Sequence, residues 1–244
     1  MAQILPAGET CLFVDFGEKI SLEINGRVQV LRRRLLERPF SGLKELVPTY
    51  RSLAVYFDPV SVDLPALKAR LEEELARLSS WPEDALPALE VRVPVSFGGE
   101  FGPDLGDVAE HTHLSGEEVV KRYCASPLYC FMNGFTPGFP YLGGMDPSLE
   151  TPRLKAPRES IPANSVAIGG AQAGAYPIAS PGGWRIIGRV PYALYDPARE
   201  PAVAIQAGMW VCFYPVTLER YREIESQAKA GAYKIEYRQR VAGK

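Results

Sequence analysis

Gly134-Phe-Thr-Pro-Gly-Phe-Pro-Tyr-Leu-Gly-Gly144, then Ala167-Ile-Gly-Gly-Ala-Gln-Ala-Gly-Ala-Tyr-Pro177, then Ser180-Pro-Gly-Gly-Trp-Arg-Ile-Ile-Gly-Arg189 dominate the second half of a 244-residue chain. Glycine opens backbone conformations closed to other residues, while proline fixes φ and removes a donor. Stretches so rich in both predict rigid turns rather than a packed helix or a plain sheet. The aromatic residues between them can line a pocket. Three such runs in one region predict a site carried by loops on a scaffold.

Around these runs the pattern is of short strands and short helices. Strand-like segments fall at 129–132, 166–168, 184–189, 210–215 and 233–238, and helices at 104–111, 116–125 and 218–230. Ser115 and Glu118 have the spacing of a capping box at the start of the second of these helices. Together they predict a mainly-β, barrel-like domain over residues 89–244 with loops at its mouth.

The first third reads differently. Residues 10–16 suit a buried strand, and 21–37 carry Leu22, Ile24, Val28, Leu31, Leu35 and Leu36 near helical spacing, with Ser21 as N-cap and Pro39 as stop. Strands follow at 42–47 and 52–57. Asp63 then caps a second helix with Leu64, Leu67, Leu71, Leu75 and Leu78 on one side. The order β-α-β-β-α predicts a small α+β domain over residues 1–88, helices on one face of an antiparallel sheet. Residues 82–87 read as a linker, and 89–95 as the next strand.

Composition narrows the function classes. At 46% hydrophobic and 23% charged the chain has an ordinary globular balance, and a formal net charge of −2 supplies no bulk field for nucleic acid or an anionic membrane. Arg32-Arg33-Arg34 lies within the helical pattern and reads as a solvated face. No apolar stretch approaches the roughly 20 residues that span a bilayer. The four cysteines are scattered without a CxxC pair, and no leader pattern opens the chain. A cytoplasmic protein with reduced thiols is the expectation.

His111 and His113 form an H-x-H beside Asp107 and Glu110, but no third nitrogen or sulfur ligand lies near and the chain has no other histidine. No metal is expected there, and His111 stays a candidate acid or base. Asp104, Asp107 and Glu110 share helical spacing, which suits either a solvated row or a carboxylate pair. No GxSxG elbow is present, so a serine nucleophile is not expected. Gly169-Gly-Ala-Gln-Ala-Gly174 lacks the Lys and Ser/Thr of a P-loop. Two readings of it stay open: a tight barrel corner, or backbone N–H groups holding an anion or a carbonyl oxygen. Arg153, Lys155, Arg158, Arg185 and Arg189 lie in or beside these runs, a local excess of cations that favours a carboxylate or phosphate ligand. Phe135, Phe139, Tyr141, Tyr176 and Trp184 are its candidate apolar walls.

These three runs, with Thr151-Pro-Arg-Leu-Lys-Ala-Pro157, Phe97-Gly-Gly-Glu-Phe-Gly-Pro-Asp-Leu105, Ala109-Glu-His111, Pro48-Thr-Tyr-Arg-Ser-Leu53 and Tyr56-Phe-Asp-Pro59, resemble the allophanate hydrolase subunit 1 family over nearly the whole chain. The resemblance implies a cyclophilin-like β-barrel as the second domain. It also implies partners: an allophanate hydrolase subunit 2-type protein, which is the C component of 5-oxoprolinase, and a third protein, the A component. Together these form an ATP-dependent 5-oxoprolinase that opens 5-oxo-L-proline to L-glutamate. ATP, with or without Mg²⁺, is then the cofactor, shared with the partner protein.

For such a reaction residue chemistry assigns Arg153, Lys155 and Arg189 to anions, and Gln172 to the lactam. The Gly143-Gly144 and Gly169-Gly170 turns then allow close backbone approach. Phe139, Tyr141, Tyr176 and Trp184 pack the ring, and Arg153, Arg189, Gln172 and His111 form the catalytic set. The alternatives are a KipI-like inhibitor docking on a sporulation histidine kinase, a urea- or allophanate-handling protein, and a prolyl isomerase by barrel analogy.

Overall fold

The structure, a computed structural model, describes residues 2–78 and 89–240. The chain divides into two compact units, Met1–Pro87 and Ala88–Lys244. The expected linker at 82–87 lies outside the described residues.

The first unit contains β1 (Gln3–Pro6), β2 (Cys11–Asp15), α1 (Leu22–Glu37), β3 (Leu43–Pro48), β4 (Ser52–Phe57) and α2 (Leu64–Leu78). Its sheet runs β1-β2-β4-β3 with every neighbour antiparallel. Leu12 and Val14 of β2, Leu53 and Val55 of β4, Val28, Leu31 and Leu35 of α1, and Leu67 and Leu71 of α2 form one core. Helix α1 starts where the Ser21 hydroxyl accepts the Ile24 N–H at 3.1 Å, as its sequence asks. Asn25, buried in that helix, donates its side-chain amide to the carbonyls of Thr49 (2.8 Å) and Tyr50 (3.1 Å), which ties α1 to the β3–β4 turn. The arginine run is less solvated than its sequence suggests. Arg33 is exposed, but Arg34 meets Glu74 of α2 at 3.4 Å and Arg32 is half-buried, which lowers its pKa. Strand β1 has no counterpart in the sequence reading. It is a short edge strand with no alternation of buried and exposed positions, and it ends on Pro6.

The second unit contains β5 (Leu89–Phe97), α3 (Leu105–Thr112), α4 (Gly116–Cys124), β6 (Leu128–Asn133), β7 (Pro140–Gly143) and a 3₁₀ turn (Pro147–Leu149). Then come β8 (Arg158–Ile161), β9 (Ser165–Gly169), β10 (Gln172–Tyr176), β11 (Ser180–Gly182), β12 (Arg185–Arg189), β13 (Trp210–Pro215), α5 (Leu218–Lys229) and β14 (Glu236–Gln239). Seven strands close into a barrel in the order β12-β9-β10-β7-β6-β13-β5, sealed by Gly188 and Arg189 of β12 pairing with Phe97 and Ser96 of β5. Strand β14 pairs with the start of β5, and β8 with β11 makes a separate ribbon. Alternate residues face the barrel core: Val91, Val93 and Val95, Val166 and Ile168, Ala173 and Ala175, Val211 and Phe213. Ala167, Tyr176 and Ile186 belong instead to a second cluster on the other face of the same strands.

The Gly- and Pro-rich runs are not all loops. Residues 140–143, 172–176 and 180–182 are strands, which corrects the expectation of turns across all three runs. The small residues are there because rings lie against the sheet: a Cβ on Gly174 would stand 2.8 Å from Trp184 and 2.9 Å from Phe139. At α4 the Ser115 hydroxyl accepts the Glu118 N–H at 3.1 Å, but the Glu118 carboxylate turns to Arg122 (2.9 Å) and Lys121 (3.4 Å), so only half of the capping box forms.

All four cysteines are free, and burial raises every thiol pKa, that of Cys124 to about 12. A rise of that size leaves Cys124 about a thousandfold less thiolate at pH 8 than in the unfolded chain. Native protein is therefore expected to react with Ellman's reagent far more slowly than protein in guanidinium. A thiol that reacted at once in the native state would contradict this.

Candidate functional site

The β9–β10 hairpin turns on Gly170-Ala171, with Gly169 paired to Gln172 and Gly170 at φ +68. Glycine at the first position of a two-residue hairpin loop, at positive φ, is what a type II′ turn requires. The chain from Thr151 onward is strapped across this turn. The Gly170 N–H donates to the Thr151 carbonyl at 2.8 Å, and the Thr151 N–H returns to that of Gly170 at 3.4 Å. Further along, the Leu154 N–H reaches the Gly183 carbonyl (2.7 Å), and Arg185 Nε–H that of Pro152 (3.2 Å). The strap thereby holds Arg153 and Lys155 beside the hairpin end and next to Trp184. The Arg153 guanidinium lies over the Trp184 ring, 5.3 Å from its centroid. Both cations are exposed, and neither forms an ion pair among the described residues. Gln172 stands at the start of β10, directly after the turn.

The aromatic residues expected as pocket walls meet one another instead. Phe139 makes edge contacts with Tyr141 (5.0 Å), Tyr176 (5.1 Å) and Trp184 (5.4 Å between centroids). Phe139 and Tyr176 are buried, Trp184 is 5% exposed, and Ile161, Ala167 and Ile186 complete the cluster. Of Phe139, Tyr141, Tyr176 and Trp184, the half-buried Tyr141 is the most exposed. The Tyr176 hydroxyl bonds to the Trp184 backbone, and burial is the main cause of its raised pKa. Two of the four candidate glycines likewise serve packing: a Cβ on Gly143 would stand 2.5 Å from the Phe131 ring, and one on Gly169 would enter the Trp184 ring. Gly170 has open space around it, and Gly144 (φ +90) meets only the Pro127 carbonyl, at 4.0 Å. Phe135 is the exception among the rings, 65% exposed at a positive φ of 62.

The acidic row on α3 is committed to two of the nearby arginines. Asp104 is buried and takes Arg158 as a fork, at 2.6 Å and 2.8 Å, while also accepting the Ile186 N–H at 2.7 Å. The hydrogen bond to Asp104 is the main cause of the raised pKa of Arg158. Asp107 pairs with Arg185 at 2.7 Å. A free carboxylate pair is thus not what these residues form. His111 is exposed in the last turn of α3, and His113 caps the helix in a left-handed conformation at φ 56. Among the described residues no three His, Cys, Asp or Glu side chains gather as a metal site.

Arg189 stands elsewhere. Its guanidinium lies over Phe101 at 5.1 Å, and it lines a cleft of about 440 Å³. Arg153, Lys155 and Gln172 do not line that cleft. The cations that the sequence places together therefore divide into two ion-paired arginines, an exposed pair at the hairpin, and one in a separate cleft. Sequence reasoning missed Phe101 and Tyr221, which stack at 4.4 Å beside Arg189; residues 120 positions apart leave no signal in spacing.

The B component of 5-oxoprolinase from Bacillus subtilis (strain 168) is 38% identical over 236 residues, covering 93% of this chain and 98% of that protein. A solved structure, that of TTHA0988, matches with a TM-score of 0.75 at 35% identity over 85% of this chain. This chain spans only 40% of that one. The K. lactis urea amidolyase shares the fold, with a TM-score of 0.74 at 20% identity over 97% of this chain and 16% of its own. Residues 2–205 match the family described as carboxyltransferase domain, subdomain C and D, and the chain belongs to that family.

Proposed function

We propose that the chain is the B component of an ATP-dependent 5-oxoprolinase complex, which opens 5-oxo-L-proline to L-glutamate. The observation that carries the reading is 38% identity over nearly the full length of a protein named as that component. On this reading the second unit is a cyclophilin-like barrel, the first a small α+β domain, and the complex acts in the cytoplasm with the A and C components.

The chemistry explains the need for several chains. A lactam is resonance-stabilised and water attacks it poorly; ATP supplies the activation of its carbonyl. The complex must hold a small carboxylate and a triphosphate and stabilise charge developing on oxygen. In this chain Arg153 and Lys155 have the exposure and charge to meet phosphate oxygens, with the Trp184 ring holding the Arg153 guanidinium in place. Gln172 and the open Gly170 turn lie beside them and face the lactam amide on this reading. His111, in the last turn of α3, is the candidate acid or base. Among the described residues no three His, Cys, Asp or Glu side chains gather to hold Mg²⁺, and Asp104 and Asp107 are bound to arginines. The partner proteins complete the nucleotide site.

Arg153→Ala is expected to leave folding unchanged, since the side chain is exposed, and to lower the turnover of the complex. Loss of one charge-assisted contact is worth about 1.5–3 kcal/mol, or roughly ten- to a hundredfold. Circular dichroism and steady-state turnover check the two halves separately. The assembly itself is tested by mixing the chain with a C-component protein and measuring mass by light scattering after gel filtration. Co-elution as a defined complex is expected; two separate peaks would contradict the enzyme-complex reading and favour the kinase-inhibitor one.

A further inference from the structure

The cleft around Arg189 has a composition that the hairpin site does not share. It is bounded by the turn at Asn164, by Arg189 at the end of β12 and Tyr192 beyond it, and by one face of α5, where Tyr221, Glu225 and Lys229 recur at helical spacing. Lys229 and Glu225 neutralise each other at 2.9 Å on the rim. The Arg189 side chain has no ion pair or hydrogen bond among the described residues, and its Nε–H is buried without a partner. Glu100 and Glu225 both act on Tyr221 of this cleft, but neither pairs with the Arg189 guanidinium.

A guanidinium in this setting is built to receive something. Its face rests on Phe101, and Phe101 stacks on Tyr221, so the arginine is braced against α5 through two rings. Stacking occupies the face, and with Nε–H buried the two terminal Nη groups are left to meet the oxygens of a carboxylate. Polyphosphate suits the cleft poorly, because Glu225 stands on its rim and Arg189 is the lining cation without an ion pair, too little to balance three or four negative charges. We infer that this cleft binds a small monocarboxylate, anchored by Arg189. The choice of 5-oxo-L-proline as first probe rests on the proposed function; the carboxylate site itself does not.

The test is isothermal titration of the full chain, without partners, against 5-oxo-L-proline, L-glutamate, 2-pyrrolidinone and inorganic phosphate. Saturable binding of at least one of the two carboxylates is expected, with none for 2-pyrrolidinone, which keeps the lactam ring and lacks the carboxylate. Arg189→Met is expected to weaken that binding by about tenfold or more. Lys229→Glu, on an exposed residue that does not threaten folding, makes the cleft two charges more negative and is expected to weaken it a fewfold, more at low salt. Binding unchanged in Arg189→Met, phosphate bound more tightly than either carboxylate, or no carboxylate bound at all would each overturn the inference. Glutamate bound with 5-oxoproline excluded would support the cleft while removing its link to the substrate. A 5-oxoprolinase complex that failed to turn over would leave these titrations standing, so the two ideas fail separately.

Discussion

Asp104→Ala is expected to lower the unfolding free energy by about 3–5 kcal/mol, the range for breaking one partner out of a buried ion pair. The carboxylate does two things at once, holding Arg158 of β8 as a fork and accepting the Ile186 N–H of β12. Its residue also sits just before α3, whose Val108 N–H bonds to the Asp104 carbonyl at 3.0 Å. Removing the carboxylate leaves a guanidinium and a backbone donor without their acceptor. The Arg158 side chain is 34% exposed, so water takes part of the loss and the effect should fall near the lower end. Asp107 provides the control: its side chain is 57% exposed, and exposed pairs contribute about 0–1 kcal/mol. Urea unfolding of both variants checks the difference. Equal midpoints for Asp104→Ala and Asp107→Ala would contradict the account of α3's attachment.

Trp184→Ala separates a packed cluster from a binding pocket. The ring is held edge-on by Phe139 and Tyr141 and fills the space that Gly169 and Gly174 leave, while Arg153 lies over it. A buried Trp truncated to Ala costs about 3–5 kcal/mol. If instead the ring were chiefly a substrate wall, stability would survive and KM for the lactam would rise. The structure calls for the first outcome. Gly169→Ala approaches the same contact from the other side. The added methyl collides with an indole that has rigid neighbours, and overpacking of this kind costs about 1–3 kcal/mol. A blue- or red-shift of Trp184 fluorescence should accompany it, although Trp81 and Trp210 also contribute signal. A fully stable Trp184→Ala variant would restore the pocket reading.

What the sequence made legible follows from where the physics is local. Leu64, Leu67, Leu71, Leu75 and Leu78 mark α2 because one apolar face recurs at helical spacing, and the structure runs that helix over Leu64–Leu78. Strands β4 and β13 carry enough β-branched and aromatic residues to be read directly. Strands β7, β10 and β11 were hidden, since Gly, Ala and Pro replace the residues that usually mark a strand; rings from other segments fill the space, Phe131 at Gly143, Trp184 and Phe139 at Gly174, and Tyr176 at Gly182. The site was legible as a collection of residue types and illegible as geometry. Asp104 and Arg158 are 54 residues apart, and nothing in their spacing says that they neutralise each other. Arg185 and Arg189 share one strand, yet a register shift between Ile186 and Gly188 intervenes, and the first turns to Asp107 while the second turns to Phe101.

The role of this chain in lactam opening is tested most directly by glutamate formation and phosphate release from 5-oxo-L-proline and ATP, with the chain combined with the A and C components and each protein omitted in turn. 5-Oxoproline is expected to stimulate phosphate release only when this chain is present, with glutamate appearing in step. Turnover that continued at the same rate without this chain, or a complete set that released no phosphate in response to 5-oxoproline, would contradict it.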